Sequence, residues 1–248
     1  MILPFPRGRG IPSLNGVVVS HLDLDHSGGA AAVFRGIGVR RRVSSVSPGH
    51  AVLGGVDVEQ CVAGLTMESG DMSLRVLHPL AGDYGRRVPT NAMSCVVLAR
   101  VGGVAVLLTG DLPASGEAEL IRREPDLKAN WMMAPHHGSH SSSSALLLES
   151  VAPPVAVVQA GYRNRFGHPD PRVVARYAAR GIELIRTDHA GAAQWRYAPG
   201  KTVEFRSSRA TAVRYWHNRP AAGRYAAATE ADEAHEVTEP REPLFGMP

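Results

Sequence analysis

An α/β fold is predicted for this chain by two features of its 248 residues. From about residue 15 to residue 205, short apolar and β-branched runs alternate with Ala- and Leu-rich stretches of helical period, and no internal repeat interrupts them. The length suits one large domain or two small ones on a prior of about 150 residues per domain. The expected strands are Val17 to Ser20, Val39 to Ser44, Leu74 to Leu77, Cys95 to Arg100, Val104 to Thr109, Trp131 to Ala134, Val155 to Ala160, Ile182 to Arg186 and Ala193 to Tyr197. Val101-Gly102-Gly103-Val104 reads as a tight hairpin between two buried strands, the glycines supplying positive φ. The expected helices are Gly28 to Arg35, Ser115 to Arg123, Ser143 to Val151 and Pro171 to Arg180; the last opens on a cap residue, Asp170, followed by proline at its first position. Residues 207–248, rich in Arg, Ala, Glu and Pro without periodicity, read as a flexible tail behind a domain spanning residues 1–206, with Tyr215-Trp216 as a short docking segment.

Composition narrows the function classes. Hydrophobic residues at 44% and charged residues at 20% are usual for a globular chain and argue against disorder or a fibre. Apolar stretches such as Val104 to Leu108 fall far short of the roughly 18 residues of a membrane span, and the start lacks the apolar core of a secretory signal, so a soluble chain is expected. The formal charge of +4 is uneven. Glu230, Asp232, Glu233, Glu236, Glu239 and Glu242 crowd the end, and residues 1–228 carry 26 basic against 17 acidic groups, or +9. That excess suits an anionic partner, phosphates above all. Only Lys128 and Lys201 among the 27 cations are lysine, an arginine bias that genome composition would equally produce. Cys61 and Cys95 lack paired spacing, so neither a disulfide framework nor a thiolate zinc site is expected. Eleven histidines turn the search toward imidazole and carboxylate chemistry.

Three polar constellations sit where apolar strands end. The first, Ser20-His21-Leu22-Asp23-Leu24-Asp25-His26-Ser27, places two histidines and two aspartates within six residues. Positions 21 and 23 share a face if the strand continues, and 25 and 26 turn inward where the backbone bends. Carboxylates so placed are costly to bury unpaired, and metal binding is preferred over a solvated loop. The second is Thr109-Gly110-Asp111, a turn residue on its own and a candidate bridging ligand beside the first. The third is Pro135-His136-His137-Gly138-Ser139-His140. Elsewhere, His78 reads as structural, and His50, His189, His217 and His235 as surface residues. Arg40-Arg41-Arg42 reads either as a backbone-tracking cluster or as a charge-protected edge strand. Ser141 to Ser144 reads most simply as a helix N-cap, although its backbone N–H groups also suit a phosphate.

His21-x-Asp23-x-Asp25-His26, the Thr109-Gly110-Asp111 turn and the His136-His137-Gly138-Ser139 turn resemble the metallo-β-lactamase superfamily. Within it they look most like the C-terminal hydrolase domain of the ComEC-type competence proteins of DNA internalisation. That subgroup has Asp where the superfamily usually has its second His, here Asp23, and shows an Asn-x-x-Ser element (Asn91 to Ser94) and an Asn-x-x-Gly-His-Pro segment (Asn164 to Pro169). The resemblance covers roughly residues 2 to 197 and implies an αββα sandwich whose first strands are missing, since Ile2 to Ile11 is similar to the middle of the family domain.

It further implies two divalent metal ions, with His21 and Asp23 serving one, Asp25 and His26 the other, and Asp111 bridging. His137 is the preferred further ligand over His136. Asp25 and His168 are expected in catalysis, His168 as a ligand or as proton donor near the leaving group. Asn91, Ser94, Ser139 and Asn164 are expected to meet substrate. No counterpart of the superfamily's separate His ligand precedes the strand at Cys95. A carboxylate at position 23 hardens the site, making Mn²⁺ or Mg²⁺ competitive with Zn²⁺. Such a pair of metals activates water and clamps both oxygens of a phosphodiester. The implied activity is a nuclease acting on single- or double-stranded DNA during its uptake, beside a membrane channel domain at the inner membrane. A hydrolase of a small ester, lactone or phosphodiester and a catalytically inactive DNA- or partner-binding remnant are the alternatives.

Overall fold

Valines at successive positions of the first strand separate into two buried layers, Val17 and Val19 on one side and Val18 on the other, and this period of two builds the whole architecture. The computed structural model describes residues 2–198 and 204–211, which divide into two compact units at Asp188/His189.

The first unit runs α1 (Pro4–Gly8), β1 (Ser13–Val19), α2 (Leu24–Ser27), α3 (Ala30–Gly36), β2 (Gly38–Ser44), β3 (Glu59–Gln60), β4 (Thr66–Ser69), β5 (Met72–His78), β6 (Val96–Val101), β7 (Val104–Leu108), α4 (Ala114–Arg123), β8 (Trp131–Met133), α5 (Ala145–Val151), β9 (Val155–Val158), α6 (Pro171–Ala178) and β10 (Glu183–Arg186). Strands β1, β2 and β3 form a small parallel sheet in that order. The large sheet runs β10-β9-β8-β7-β6-β5-β4, parallel from β7 to β10 and antiparallel elsewhere.

Three buried clusters make four layers. Val33 and Phe34 of α3 pack with Val19 and Val39 on the outer face of the small sheet. Val43 meets Val76, Cys95 and Val97 between the sheets. Leu120, Leu148 and Tyr177 of α4, α5 and α6 cover Leu98, Leu107 and Val158 on the far face of the large sheet. Helix, sheet, sheet and helix are the αββα sandwich that the sequence predicts. Among the described residues no helix is long and apolar enough to cross a membrane.

Several expectations are corrected. Cys61 and Cys95 are joined by a disulfide, because the end of β3 and the start of β6 face each other in the layer between the sheets. Arg40 to Arg42 lie on the central strand of the small sheet, so they protect no edge; Arg41 is instead tied to Glu59 through two hydrogen bonds of 2.7 and 2.9 Å. Of the two hairpin glycines only Gly102 has positive φ, 54°. The strand at β9 stops at Val158, two residues early, because the Gln159 carbonyl turns to a histidine and Ala160 N–H donates to Thr187. The edge strands β3 and β4 and the short helices α1 and α2 had no sequence expectation. Ser144 does cap α5, its hydroxyl accepting from Leu147 N–H.

The second unit contains the end of α7 (Thr187–Ala190), the antiparallel pair β11 (Ala193–Arg196) and β12 (Glu204–Ser207), and α8 (Ser208–Thr211). From residue 212 on, the expected tail, with Tyr215, Trp216, His217 and His235, lies outside the described residues.

Candidate metal centre

The carboxyl ends of β1, β7, β8 and β9 and the amino end of the antiparallel β6 open on one edge, and each of these ends delivers part of one cluster. This is where open α/β sheets bind ligands, because loops leaving parallel strands splay apart there.

After β1 the chain does not continue as a strand. His21 is fully buried, and Asp23, at the amino cap of α2, turns the backbone into a single helical turn that carries Asp25 and His26. Ser27 Oγ donates to the Leu22 carbonyl at 2.6 Å and locks that turn. After β7, Gly110 has φ 53°, and its missing side chain admits Ser94, whose Cβ and Oγ would lie 2.9 and 3.0 Å from a Cβ there. Asp111, 5% exposed at its side chain, is then held by its N–H donating to Ser94 Oγ at 2.9 Å. After β8, His136, His137 and Gly138 all have left-handed backbones, with φ of 50°, 52° and 78°. Such strain at two bulky residues persists only where the surroundings hold it. Here His136 N–H donates to the Gly110 carbonyl at 3.1 Å, and Gly138 abuts Pro169 so closely that a Cβ would lie 2.6 Å away.

These turns bring the nitrogens and oxygens together. Two sets, His21/His26/Asp111 and Asp25/His26/His137, each hold three ligand atoms within 4.8 Å of one another and share His26. Asp111 is central: its carboxylate lies 3.2 Å from His26, 3.7 Å from both His136 and His137 and 3.9 Å from His21. Asp23 Oδ2 lies 3.8 Å from His21 Nε2, and Asp25 Oδ2 3.3 Å from His137 Nε2. His137 Nδ1 donates to the Gln159 carbonyl at 2.9 Å, which leaves the Nε2 lone pair facing His26 Nε2 at 3.2 Å.

Whether these groups suit a cation is tested by His21. Its Nε2 is buried without a hydrogen-bond partner, and the nearest carboxylate oxygens are too distant to bond. A stranded buried nitrogen costs about 1–3 kcal/mol. Beside three carboxylates, that nitrogen fits a divalent metal.

Electrostatics follow burial and pairing. Burial and the neighbouring His26 hold His21 below its usual pKa, against the pull of Asp111, Asp23 and Asp25. Burial also lowers His26, but the hydrogen bond and charge of Asp111 outweigh it and raise the net value. Asp111 is pushed up by burial and brought below its usual value by His26, His137 and His136. His168 is lowered by burial and by the charges of His136 and His137.

Asp23, Asp25, Asp111, His136, His137 and His168 line one cavity of about 350 Å³, with Asn164 and Phe166 at its side. The residues expected at the substrate divide. Asn91 Nδ2 lies 3.4 Å from His136 Nε2, and its buried Oδ1 has no partner. Ser94 is fully buried and spends its hydroxyl on Asp111, so it holds a loop and has no surface for substrate. Ser139, 5% exposed, bonds Ser141. The Asn164 amide is consumed in the loop, donating to the carbonyls of Gly161 and His168 and accepting from His168 N–H. His78 is structural: its ring contacts the Ala92 carbonyl at 2.7 Å.

Three further contributors carry no pattern in sequence. Thr90 Oγ1 donates to Asp23 at 2.6 Å, Ser20 Oγ lies 3.0 and 3.2 Å from His21 and His26, and Gln159 acts through its backbone. Glu117 did have a signal, a carboxylate at i in step with buried Leu120 and Ile121 on the apolar face of α4.

The chain is 31% identical over 207 residues to ComE operon protein 3 of Bacillus subtilis (strain 168), covering 79% of this chain and 26% of that protein. It is 31% identical over 225 residues to competence protein ComA of Neisseria gonorrhoeae, covering 88% and 30%. The chain thus spans under a third of the length of these relatives. Among solved structures, CmlA, a diiron β-hydroxylase from Streptomyces venezuelae, aligns with a TM-score of 0.49 at 15% identity over 71% of this chain and 44% of that one. Tm1679, a metal-dependent hydrolase of the β-lactamase superfamily, aligns with a TM-score of 0.47 at 15% identity over 74% and 80%. The profile of the metallo-beta-lactamase superfamily matches residues 1–162, which takes in β1 through β9 and the turns that carry His21 to His26, Asp111 and His137. With well over half of its length matched, this chain belongs to the metallo-beta-lactamase superfamily.

Proposed function

We propose that the chain is a metal-dependent phosphodiesterase that cleaves DNA during its uptake. The observation that carries the reading is the cluster beside the cavity, in which His21, His26 and His137 meet Asp23, Asp25 and Asp111 and the buried His21 Nε2 is left without a hydrogen-bond partner. DNA is favoured as substrate by a relative named as a competence protein and by the charge of +9 on residues 1–228. Partnership with a membrane channel domain belongs to the same proposal, as does a place at the inner membrane.

In this reading His21, Asp23 and Asp111 hold one divalent ion, Mn²⁺ or Zn²⁺ with Mg²⁺ as a third choice. Asp25, His26 and His137 would hold the second, and Asp111 would serve both. Bound there, such ions supply Lewis-acid polarisation of the phosphoryl group and activation of water. The chain's own groups do the rest. Asp25, 64% exposed at its side chain, is the carboxylate that faces the open cavity and takes a proton from attacking water. Thr90 fixes Asp23, and Gln159 fixes the tautomer of His137. His168, on the cavity wall with its ring 6.0 Å from that of His136, stands where it gives a proton to the leaving oxygen.

The test is cleavage of single- and double-stranded DNA by the purified chain loaded separately with Mn²⁺, Mg²⁺ and Zn²⁺. Metal-dependent cutting should fall by about a hundredfold or more in Asp25→Ala. Hydrolysis of a small ester with no cutting of DNA, or a folded and metal-loaded chain that hydrolyses nothing, overturns the proposal.

A further inference from the structure

Residues 161–168 form a loop beside the cavity whose polar and aromatic parts do different work. Asn164 bonds both ends of it, and Arg163 is held with a left-handed backbone, φ 50°. That conformation costs about 1–3 kcal/mol in a non-glycine residue and marks a loop whose shape is imposed. What this fixed loop displays are two aromatic rings, Tyr162 at 48% and Phe166 at 66% exposure. Over each ring lies an adjacent arginine: Arg163, which follows Tyr162, at 5.3 Å from its centroid, and Arg165, which precedes Phe166, at 4.7 Å. Phe166 also lines the cavity and stacks near-parallel to His168, at 5.9 Å and 18°.

An exposed aromatic ring alone needs no explanation. Two ring–guanidinium pairs on one clamped loop at the mouth of a site for phosphodiesters are a different matter. Flat π surfaces accept nucleobases by stacking, guanidinium planes stack likewise, and their charge draws the phosphate backbone. A base inside a duplex has both faces covered by its neighbours, so only an unpaired base can lie on such a surface. The cavity beside them, about 350 Å³, falls within the range of ligand sites.

We propose that Phe166 and Tyr162, each with its arginine, form a stacking rim that takes unpaired nucleobases and sets the site to act on single-stranded nucleic acid. This rests on the phosphodiesterase reading above. The experiment is competition binding to the Mn²⁺-loaded full chain by phosphorothioate oligomers, which resist cutting: oligodeoxyadenylate, an abasic oligomer of equal length, and a duplex. Cutting of ordinary DNA is followed in parallel. The expected result is oligodeoxyadenylate bound at least about fivefold more tightly than the abasic strand or the duplex. Phe166→Leu, which keeps the apolar bulk without the ring, should close that gap and leave abasic binding unchanged, whereas Phe166→Trp should keep it. Equal affinity for the base-bearing and abasic strands while DNA is still cut refutes the rim and spares the phosphodiesterase. So does an equal loss on both strands in Phe166→Leu, which would make the ring a support for the loop. A wild-type chain that neither binds nor cuts any oligomer refutes the nucleic-acid reading, and the rim with it.

Discussion

Thr90 Oγ1 donates to Asp23 Oδ1 at 2.6 Å, while Oδ2 of the same carboxylate faces His21. The hydroxyl therefore decides which oxygen is left for a cation and removes the side-chain freedom that binding would otherwise have to quench. Loss of such outer partners typically weakens metal binding about 10- to 100-fold. Thr90→Ala should lower Mn²⁺ affinity by that amount in calorimetric titration and Thr90→Ser should restore it; unchanged affinity in the alanine variant would show that Asp23 needs no such hold. Gly110 is constrained differently. With φ 53° and Ser94 at 2.9 Å from where a Cβ would stand, Gly110→Ala adds backbone strain to overpacking. A loss of about 1–3 kcal/mol is expected in urea unfolding, together with a lower metal content. At this scale the gathering of His21, Asp25, His26, Asp111 and His137 was legible because His and Asp at the ends of apolar strands have few other uses. Thr90 and Ser94 were not, because a hydroxyl is compatible with surface, cap or substrate contact. Only the fold shows that one is spent on Asp23 and the other on Asp111 N–H.

The loop of residues 140–144, beyond the turn after β8, is held by two helices on the far side of the large sheet. Glu117 of α4, fully buried, accepts from the N–H groups of Ser143 and Ser144 at 2.6 and 2.8 Å. Arg176 of α6 donates to the carbonyls of Ser142, Ser143 and His140, and the Tyr177 hydroxyl meets Ser143 Oγ at 3.1 Å. Ser143 itself has φ 56°. The loop that follows His136 and His137 is thus tied down by charge-assisted bonds, and Glu117→Ala, which strands the buried Ser143 N–H and the half-buried Ser144 N–H, should cost about 2–3 kcal/mol. Burial raises the Glu117 pKa from its ordinary 4.5 despite the bonds from Ser144 and Ser143. The folded state then binds its proton more tightly than the unfolded chain does. Stability relative to Glu117→Gln, which cannot titrate, should fall as pH rises from about 4.5 through the raised value. Equal pH profiles for the two proteins in thermal unfolding would contradict this. Strand β6, with Val96 and Leu98 in one buried cluster and Val97 in another, and β7, with Ala105 and Leu107 buried, were legible from their apolar runs. Strands β3 and β4 were not, since each is an edge with at most one buried side chain, Met67 in β4. A polar edge strand offers no period of two to read.

Across the whole chain, the four-layer order was legible only through the resemblance to a family, because periodicity gives strands but not which sheet each joins. Charge was legible directly, and its unevenness makes a prediction of its own. Six carboxylates fall after residue 229 against one arginine, while the rest of the chain carries +9. An acidic segment covalently joined to a basic body competes with any polyanion for the same cations, at an effective concentration set by its tether. Neutralising Glu230, Asp232, Glu233, Glu236, Glu239 and Glu242 to the corresponding amides raises the formal charge by six without shortening the chain. Under the DNA reading, the neutralised chain should bind oligonucleotide more tightly than the wild type at low salt. The advantage should shrink as salt rises, because the Debye length falls from about 10 Å at 0.1 M to about 3 Å at 1 M. The plot of log affinity against log salt should also steepen, since cations released from the acidic segment become available to displace counterions from phosphate. Titrations of both proteins across that salt range decide the matter: coincident curves would mean that the six carboxylates never meet the surface that binds DNA.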